Sequence, residues 1–173
     1  WGNSGDNHLY GGSGADTLLG GDGNDWLDGG TGTDTMWGGN GNDGYVVTST
    51  SDVINEAANA GHDSVFSSVS WTLGSNLEDL AFSGAGNTSG TGNSLDNIIT
   101  GNLGNNTLSG MAGNDTIDGY WGNDTYSGGP CAEPFNFSHR RRHHGDTHND
   151  RPPTHGHTRR VHPALPPGPP PRI

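Results

Sequence analysis

Apolar residues recur every nine positions in two stretches of the chain, with glycine, acidic and amide residues between them. From Gly2 to Val46, and again from Gly92 to Asn136, the sequence divides into ten consecutive nonapeptides. Glycine opens each unit, an acid or its amide fills the sixth place, and an apolar residue fills the eighth. The eighth-place residues are Leu9, Leu18, Leu27, Met36, Tyr45, Ile99, Leu108, Ile117, Tyr126 and Phe135. Each should point inward from a three-residue strand. Because one unit cannot bury its apolar residue alone, the units are predicted to stack into a solenoid.

Residues 47–91 separate the two arrays and replace the nine-residue pattern with alternation. The alternating apolar residues are Val65, Val69, Trp71, Leu73, Leu80 and Phe82. Alternation predicts strands with one buried face. The length of this spacer equals five units of nine, so both arrays share one register and we expect the solenoid to run through it.

The turn half of each unit carries the candidate chemistry. Glycine at the first, second and fourth places permits positive φ and lets backbone carbonyls converge where a Cβ would obstruct them. The sixth place adds a carboxylate or amide oxygen. Calcium accepts six to eight such oxygens in a flexible geometry, whereas magnesium demands a stricter octahedron. The candidate oxygen donors for a cation are Asp16, Asp25, Asp34, Asp43, Asp115, Asp124, Asn7, Asn97, Asn106, Gly12, Gly14, Gly21, Gly23, Gly30, Gly32, Gly39 and Gly41.

Several departures from the repeat affect particular turns. Asn in place of Asp at the sixth place keeps an oxygen but removes a charge, which should lower the affinity for calcium. Leu95 and Cys131 replace the fourth-place glycine, and Met111 and Tyr120 replace the second, so distorted turns are predicted in the second array. Soft-metal binding is not supported, because His8 is the single soft ligand of the intact units. No EF-hand loop is present.

Charge is distributed very unevenly along the chain. Residues 1–129 hold fourteen Asp, two Glu and no Lys, Arg or Pro, a balance of −16, whereas residues 130–173 carry +4, giving −12 overall. An acidic, glycine-rich segment normally stays disordered, so a cation must offset the repulsion if it folds. Without basic residues the segment is a poor partner for nucleic acid. No apolar run reaches the roughly 20 residues that span a bilayer.

Units such as GGDGNDWLD and GGNGNDGYV follow the pattern GGxGxDxUx, in which U is a large apolar residue. This pattern resembles the RTX, or hemolysin-type, repeat. The resemblance implies an all-β fold, a right-handed parallel β-roll in which each unit forms a turn and a short strand, and two units make one coil. It also implies several calcium ions between turns on the same edge. The implied pairs are Asp16 with Asp34 and Asp25 with Asp43, and, as weaker sites, Asn7 with Asp25, Asn97 with Asp115 and Asn106 with Asp124.

The predicted domains are the first array at 2–46, the spacer at 47–91, the second array at 92–137 and a disordered tail at 138–173. The tail is rich in Arg, His and Pro. We favour its interpretation as a frame error in a GC-rich repeat gene. The alternative is a native tail that binds zinc or nickel between His139 and His162, or an anionic surface through its arginines.

The predicted function is calcium binding that drives folding. Without calcium the carboxylates repel one another, and with it the binding free energy becomes folding free energy. The resemblance implies a module of a larger secreted bacterial protein, a toxin, hydrolase, epimerase or adhesin exported by type I secretion. The missing start Met suggests a piece of a longer chain, whose upstream domain would be its partner.

Three alternatives stay open. The segment could be a cell-surface adhesive spacer stiffened by calcium, the C-terminal part of a secreted enzyme, or a disordered linker. No HExxH or GxSxG motif is present, so no catalytic residue is assigned and the segment is not predicted to be an enzyme. The spacer acids Asp52, Glu56, Asp63, Glu78 and Asp79 could bind an ion, but we favour their interpretation as solvated turn carboxylates.

Overall fold

The protein is an all-β chain in a computed structural model that describes residues 1–128 and, beyond them, only the backbone of the strands at 136–137 and 147–148. The described residues contain no helix, and so none that could cross a membrane. The strands are β1 His8–Gly14, β2 Thr17–Asp22, β3 Trp26–Gly32, β4 Thr35–Asn40, β5 Gly44–Val47, β6 Val53–Asn55, β7 Ser64–Ser67, β8 Trp71–Thr72, β9 Asp79–Phe82, β10 Ser89–Thr91, β11 Ile98–Thr100, β12 Thr107–Ser109, β13 Thr116–Asp118, β14 Thr125–Ser127, β15 Asn136–Phe137 and β16 Thr147–His148.

The strands coil into a parallel β-solenoid, which confirms the predicted fold class. Strands pair in parallel with the strand two places along the chain, as β1 does with β3 and β2 with β4, except that β6 does not pair with β8. The odd-numbered strands form one continuous eight-stranded sheet, β1 to β15. The opposite side is divided into a three-stranded sheet, β2-β4-β6, and a five-stranded sheet that begins at β8.

Within the arrays, equivalent places of the repeat lie directly over one another. Leu27 pairs with Leu9 on one side and with Tyr45 on the other, and each of these partners lies two nonapeptides away along the chain. Two nonapeptides therefore make one coil. This register stacks turn over turn along both edges and fixes where the sixth-place side chains lie.

The continuous sheet passes through the spacer although its coils are irregular there. Tyr45 pairs with Val65, Val65 with Leu80, and Leu80 with Ile99. Compared with a regular coil of two nonapeptides, the first of these coils is two residues longer, the second is three shorter and the third is one longer. These differences sum to zero, so the second array has the same register in the sheet as the first array.

The core is a single column of apolar side chains between the sheets. Leu27, Met36, Tyr45, Ile99, Leu108 and Ile117 are fully buried. In the spacer Val65, Leu73, Leu80 and Phe82 are buried, while Val69 and Trp71 pack against the core from partly buried positions. Gly90 takes an inward place between Trp71 and Leu108, where a Cβ would lie 2.6 Å from the Phe82 ring. Each buried Leu, Ile or Phe contributes about 1.5–3 kcal/mol.

The second array keeps its coil despite the substituted glycines. Met111 and Tyr120 adopt φ of 74° and 66°, positive like the φ of 86° to 119° at the second-place glycines of the first array. The predicted distortion is therefore expressed as backbone strain, about 1–2 kcal/mol per residue, and not as a lost register. Past residue 128 the backbone pairs Phe137 with Ile117. Phe135, which the repeat predicts to point inward, lies outside the described residues.

The remaining predictions for the C-terminal region concern residues outside those described. They include the fourth-place Cys131 and almost all of the tail at 138–173. Within that tail, the backbone of Thr147–His148 pairs with β14.

Candidate metal sites along the turn edges

The sixth-place side chains stack into a row along each edge of the solenoid. In each row the backbone N–H of one sixth-place residue donates to the Oδ1 of the Asp one coil later. All five predicted pairs are brought together in this way. The bonds run from Asn7 to Asp25 (2.8 Å), Asp16 to Asp34 (2.9 Å), Asp25 to Asp43 (2.7 Å), Asn97 to Asp115 (3.0 Å) and Asn106 to Asp124 (2.8 Å).

The second carboxylate oxygen of the first-array Asp residues lacks a partner. Asp25, Asp34 and Asp43 are at most 3% exposed, and their Oδ2 atoms are buried without a hydrogen bond. The same holds for the Oδ2 atoms of Asp16 and Asp63. A buried, unpaired carboxylate oxygen is costly. These oxygens therefore fit a cation that the protein itself does not supply.

Backbone carbonyls converge on the same points. A Cβ at Gly20, the first place of its unit, would lie 2.2 Å from Asp25 Oδ2 and 2.5 Å from the carbonyl oxygen of Gly38 one coil later. Glycine leaves this oxygen-lined cradle open. Of the nine second- and fourth-place glycines of the first array, all but Gly5 have positive φ, whereas the first-place glycines do not, although the sequence predicts that positive φ is permitted there too. The eight are Gly12, Gly14, Gly21, Gly23, Gly30, Gly32, Gly39 and Gly41.

The Asn residues of the rows behave differently from the Asp residues. Asn106 donates to Thr88 Oγ1 at 2.9 Å and to Asn102 Oδ1 at 3.1 Å, and its own Oδ1 accepts from Asn102 N at 2.8 Å. The amide of Asn97 likewise donates to the carbonyls of Leu77 and Glu78. These turns are closed by hydrogen bonds within the chain, so their carboxamides offer less to an ion than the Asp carboxylates do.

A second, exposed ladder runs beside the first at the fifth place of the units. The N–H of Asn24 donates to Asp6 Oδ1, and that of Asn42 to Asn24 Oδ1, both at 2.7 Å. Each bond points back to the preceding coil, opposite to the sixth-place bonds. Sequence reasoning missed this ladder, although the frequent Asn-Asp dipeptides are its signal.

Three spacer acids join the sixth-place rows, against the interpretation of them as solvated turn carboxylates: Asp52, Asp63 and Glu78, whose Oε2 accepts from Asp63 N at 2.8 Å. Asp52 accepts from Asp34 N at 3.0 Å and is 6% exposed, and Asp63 accepts from Asp43 N at 2.8 Å and is 1% exposed. Asp52 follows Asp34 by two nonapeptides, so the repeat could have found it. Asp63 lies two residues beyond the place that the repeat would give it, and no strict period reveals it.

The junction of the first array and the spacer concentrates negative charge. Asp43, Glu56 and Asp63 offer oxygens that all lie within 4.8 Å of one another. Burial, with added repulsion from Asp25 and Glu56, raises the pKa of Asp43 to about 6. Burial, with repulsion from Glu56, Asp43 and Glu78, raises the pKa of Asp63 to about 7. In each case an N–H bond to the carboxylate partly opposes the shift.

Little positive charge is available to balance these acids. Residues 1–129 contain no Lys or Arg. Within the described residues, His62 contacts Asp79, with Nε2 3.1 Å from Oδ2. The oxygen-rich turns therefore need a cation from solution, and their ligand set suits calcium.

Fold and turn chemistry together define a cation-binding parallel β-solenoid. The family comparison gives the same result: the RTX calcium-binding nonapeptide repeat, in its four-copy form, matches residues 1–36, 10–45 and 91–129. The chain is an RTX-type calcium-binding repeat protein. A comparison with curated proteins found no match.

Proposed function

We propose that this chain is a module of a larger secreted protein and folds when it binds several calcium ions outside the cell. The observation that carries the proposal is the set of five buried Asp Oδ2 atoms without partners: Asp16, Asp25, Asp34, Asp43 and Asp63. Each ionised carboxylate in such a place costs several kcal/mol unless a counter-charge meets it. A calcium ion therefore stabilises the folded state and not the unfolded chain, which cannot hold it. The free energy of ion binding thus adds to the free energy of folding.

Secretion is supported by the family and by the charge of the chain. RTX repeats generally belong to secreted bacterial proteins, and the resemblance extends to type I export. Calcium is scarce in the cytosol and abundant outside. A segment with a balance of −16 over residues 1–129 would stay extended during export and become rigid after it.

We also propose that the segment itself is not catalytic. Its buried acids occupy ladder positions, where their Oδ1 atoms accept backbone N–H groups from the neighbouring coil. Such acids hold coils together, so any activity of the parent protein would reside in another domain.

Far-UV circular dichroism of the full chain during a calcium titration tests calcium-driven folding, with magnesium as the competing ion. We expect a calcium-selective transition from coil to β. The double variant Asp25→Ala/Asp34→Ala should need at least about tenfold more calcium, because it removes carboxylates from both edges. The control Asp6→Asn/Asp22→Asn removes the same charge from exposed places but keeps the acceptor oxygens that bind Asn24 N–H and the Asn40 amide, and it should keep the wild-type midpoint. A β spectrum that does not change with calcium would contradict the proposal.

A further inference from the structure

We propose that Asp43, Glu56 and Asp63 form a calcium site of a different kind from the repeat sites, which joins the first array to the spacer and binds the first ion. This inference rests on the proposed function. Elsewhere in the array two Asp residues one regular coil apart share a turn edge. At the junction a third carboxylate, Glu56, enters the site, and the coil between Asp43 and Asp63 is two residues longer than a regular one.

Glu56 reaches the site through the Tyr45 hydroxyl, at an edge where the regular repeat offers a backbone carbonyl. It lies two nonapeptides after Gly38 and thus takes the first place of the next unit on that edge. At the regular position Gly20, the carbonyl of Gly38 one coil later closes the cradle. At Gly38 the Tyr45 phenol oxygen lies where the regular turn has that carbonyl, and the phenol donates to the Glu56 carboxylate. The site thereby gains a third carboxylate near Asp43 and Asp63, so it should bind a divalent cation more tightly.

Tyr45 positions Glu56. The phenol is fully buried, accepts a hydrogen bond from Gly38 N at 2.7 Å, and donates to Glu56 Oε2. A Cβ at Gly38 would lie 2.3 Å from the phenol oxygen and 2.0 Å from Asp43 Oδ2. Tyr45 therefore holds one oxygen of Glu56 beside the unpartnered oxygen of Asp43.

Burial and spacing both indicate an ion. Asp43 and Asp63 are 2% and 1% exposed, and the Oδ2 atoms of both are buried without a partner. The three oxygens lie within 4.8 Å of one another. Two ligands of one calcium ion can be at most about 5 Å apart, since each lies about 2.3–2.6 Å from it. Three carboxylates at this separation repel strongly when no cation lies between them.

Calcium titrations followed by isothermal calorimetry on the full chain test the site. The wild type should show one ion bound at least about tenfold more tightly than the others. Glu56→Gln keeps the shape and removes the charge, and it should abolish this tight class. The matched control Asp22→Asn removes an exposed charge from the same array and should retain it. A Glu56→Gln variant that titrates like the wild type would overturn the site.

Two further measurements keep the outcome clear. If the Glu56→Gln variant does not fold at saturating calcium, the Tyr45→Phe variant is titrated instead. The Tyr45→Phe change keeps all three carboxylates and removes the hydroxyl that positions Glu56. It should weaken the tight site severalfold, and an unchanged site would overturn the proposal. Terbium luminescence excited through Tyr45 should rise with the first equivalent bound. A wild type that binds no calcium at all would instead refute the proposed function, so the two failures are distinguishable.

Discussion

At the residue scale, the chain shows how strongly the turn depends on a positive φ at its second place. Glycine meets this need in the first array, whereas Met111 and Tyr120 meet it in the second with φ of 74° and 66°. Both side chains are exposed, at 44% and 59%. Their strain is therefore not offset by burial.

Replacing Met111 with Gly should stabilise the folded protein. The relief of left-handed strain, about 1–2 kcal/mol, exceeds the extra entropy that glycine loses on folding. We expect a gain of about 1 kcal/mol in the free energy of unfolding, measured with urea at saturating calcium. Met111→Ala keeps a Cβ and serves as the control. Equal stability of the Gly and Ala variants would show that the strain is not real.

At the element scale, the units contain two kinds of turn. Units with Asn at the second place, Asn3, Asn93 and Asn102, also have Asn at the sixth place, and their second-place φ is not positive. The described units with Gly, Met or Tyr at the second place have Asp at the sixth. The first kind is closed by amide hydrogen bonds, whereas the turns of the second kind in the first array leave the Oδ2 atoms of Asp16, Asp25, Asp34 and Asp43 without a hydrogen bond.

Asn106→Asp tests this distinction with a nearly isosteric change. The variant replaces the amide donor with an acceptor that faces the Oδ1 of Asn102, now 3.1 Å from Asn106 Nδ2. We expect a loss of about 2 kcal/mol at saturating calcium, because buried acceptors are left unpaired. Asn105→Asp adds the same charge at an exposed neighbouring place and should change the stability little. Higher stability of Asn106→Asp would instead show that this turn closes around calcium.

At the scale of the whole molecule, we expect charge balance to govern folding. Residues 1–128 lack Lys and Arg side chains, so bound cations or protons must neutralise the buried acids. Asp43 and Asp63 have pKa values raised from 3.8 to about 6 and about 7 in the fold. Their protonated forms therefore favour the folded state. This contribution is fully present below pH 3.8 and is lost as the pH rises through about 6 to 7.

Acid should therefore replace calcium in part. In calcium-free buffer, lowering the pH from about 8 to about 5 should raise the β content measured by circular dichroism. The double variant Asp43→Asn/Asp63→Asn should show a much smaller change over the same range, because its two groups no longer titrate. An identical pH profile for wild type and variant would assign the effect to other carboxylates.

The sequence by itself determined the solenoid, its core positions and most of its turn rows. A strict period of nine places every second unit over the same edge, so the pairs Asp16–Asp34 and Asp25–Asp43 follow from counting. The two turn types are also written in the sequence, since each depends on the residue at the second place of its own unit.

Only the tertiary structure decided how the spacer joins these rows. Its three coils differ in length and have no common period, yet together they equal three regular coils. Local loop lengths therefore compensate one another, and packing against the continuous sheet selects which residues face the edge. This packing places Asp63 one coil after Asp43 on the same edge, and it points Glu56 toward the junction of the first array and the spacer. Its physical reason is the shared register of the sheet, which no local pattern in the spacer records.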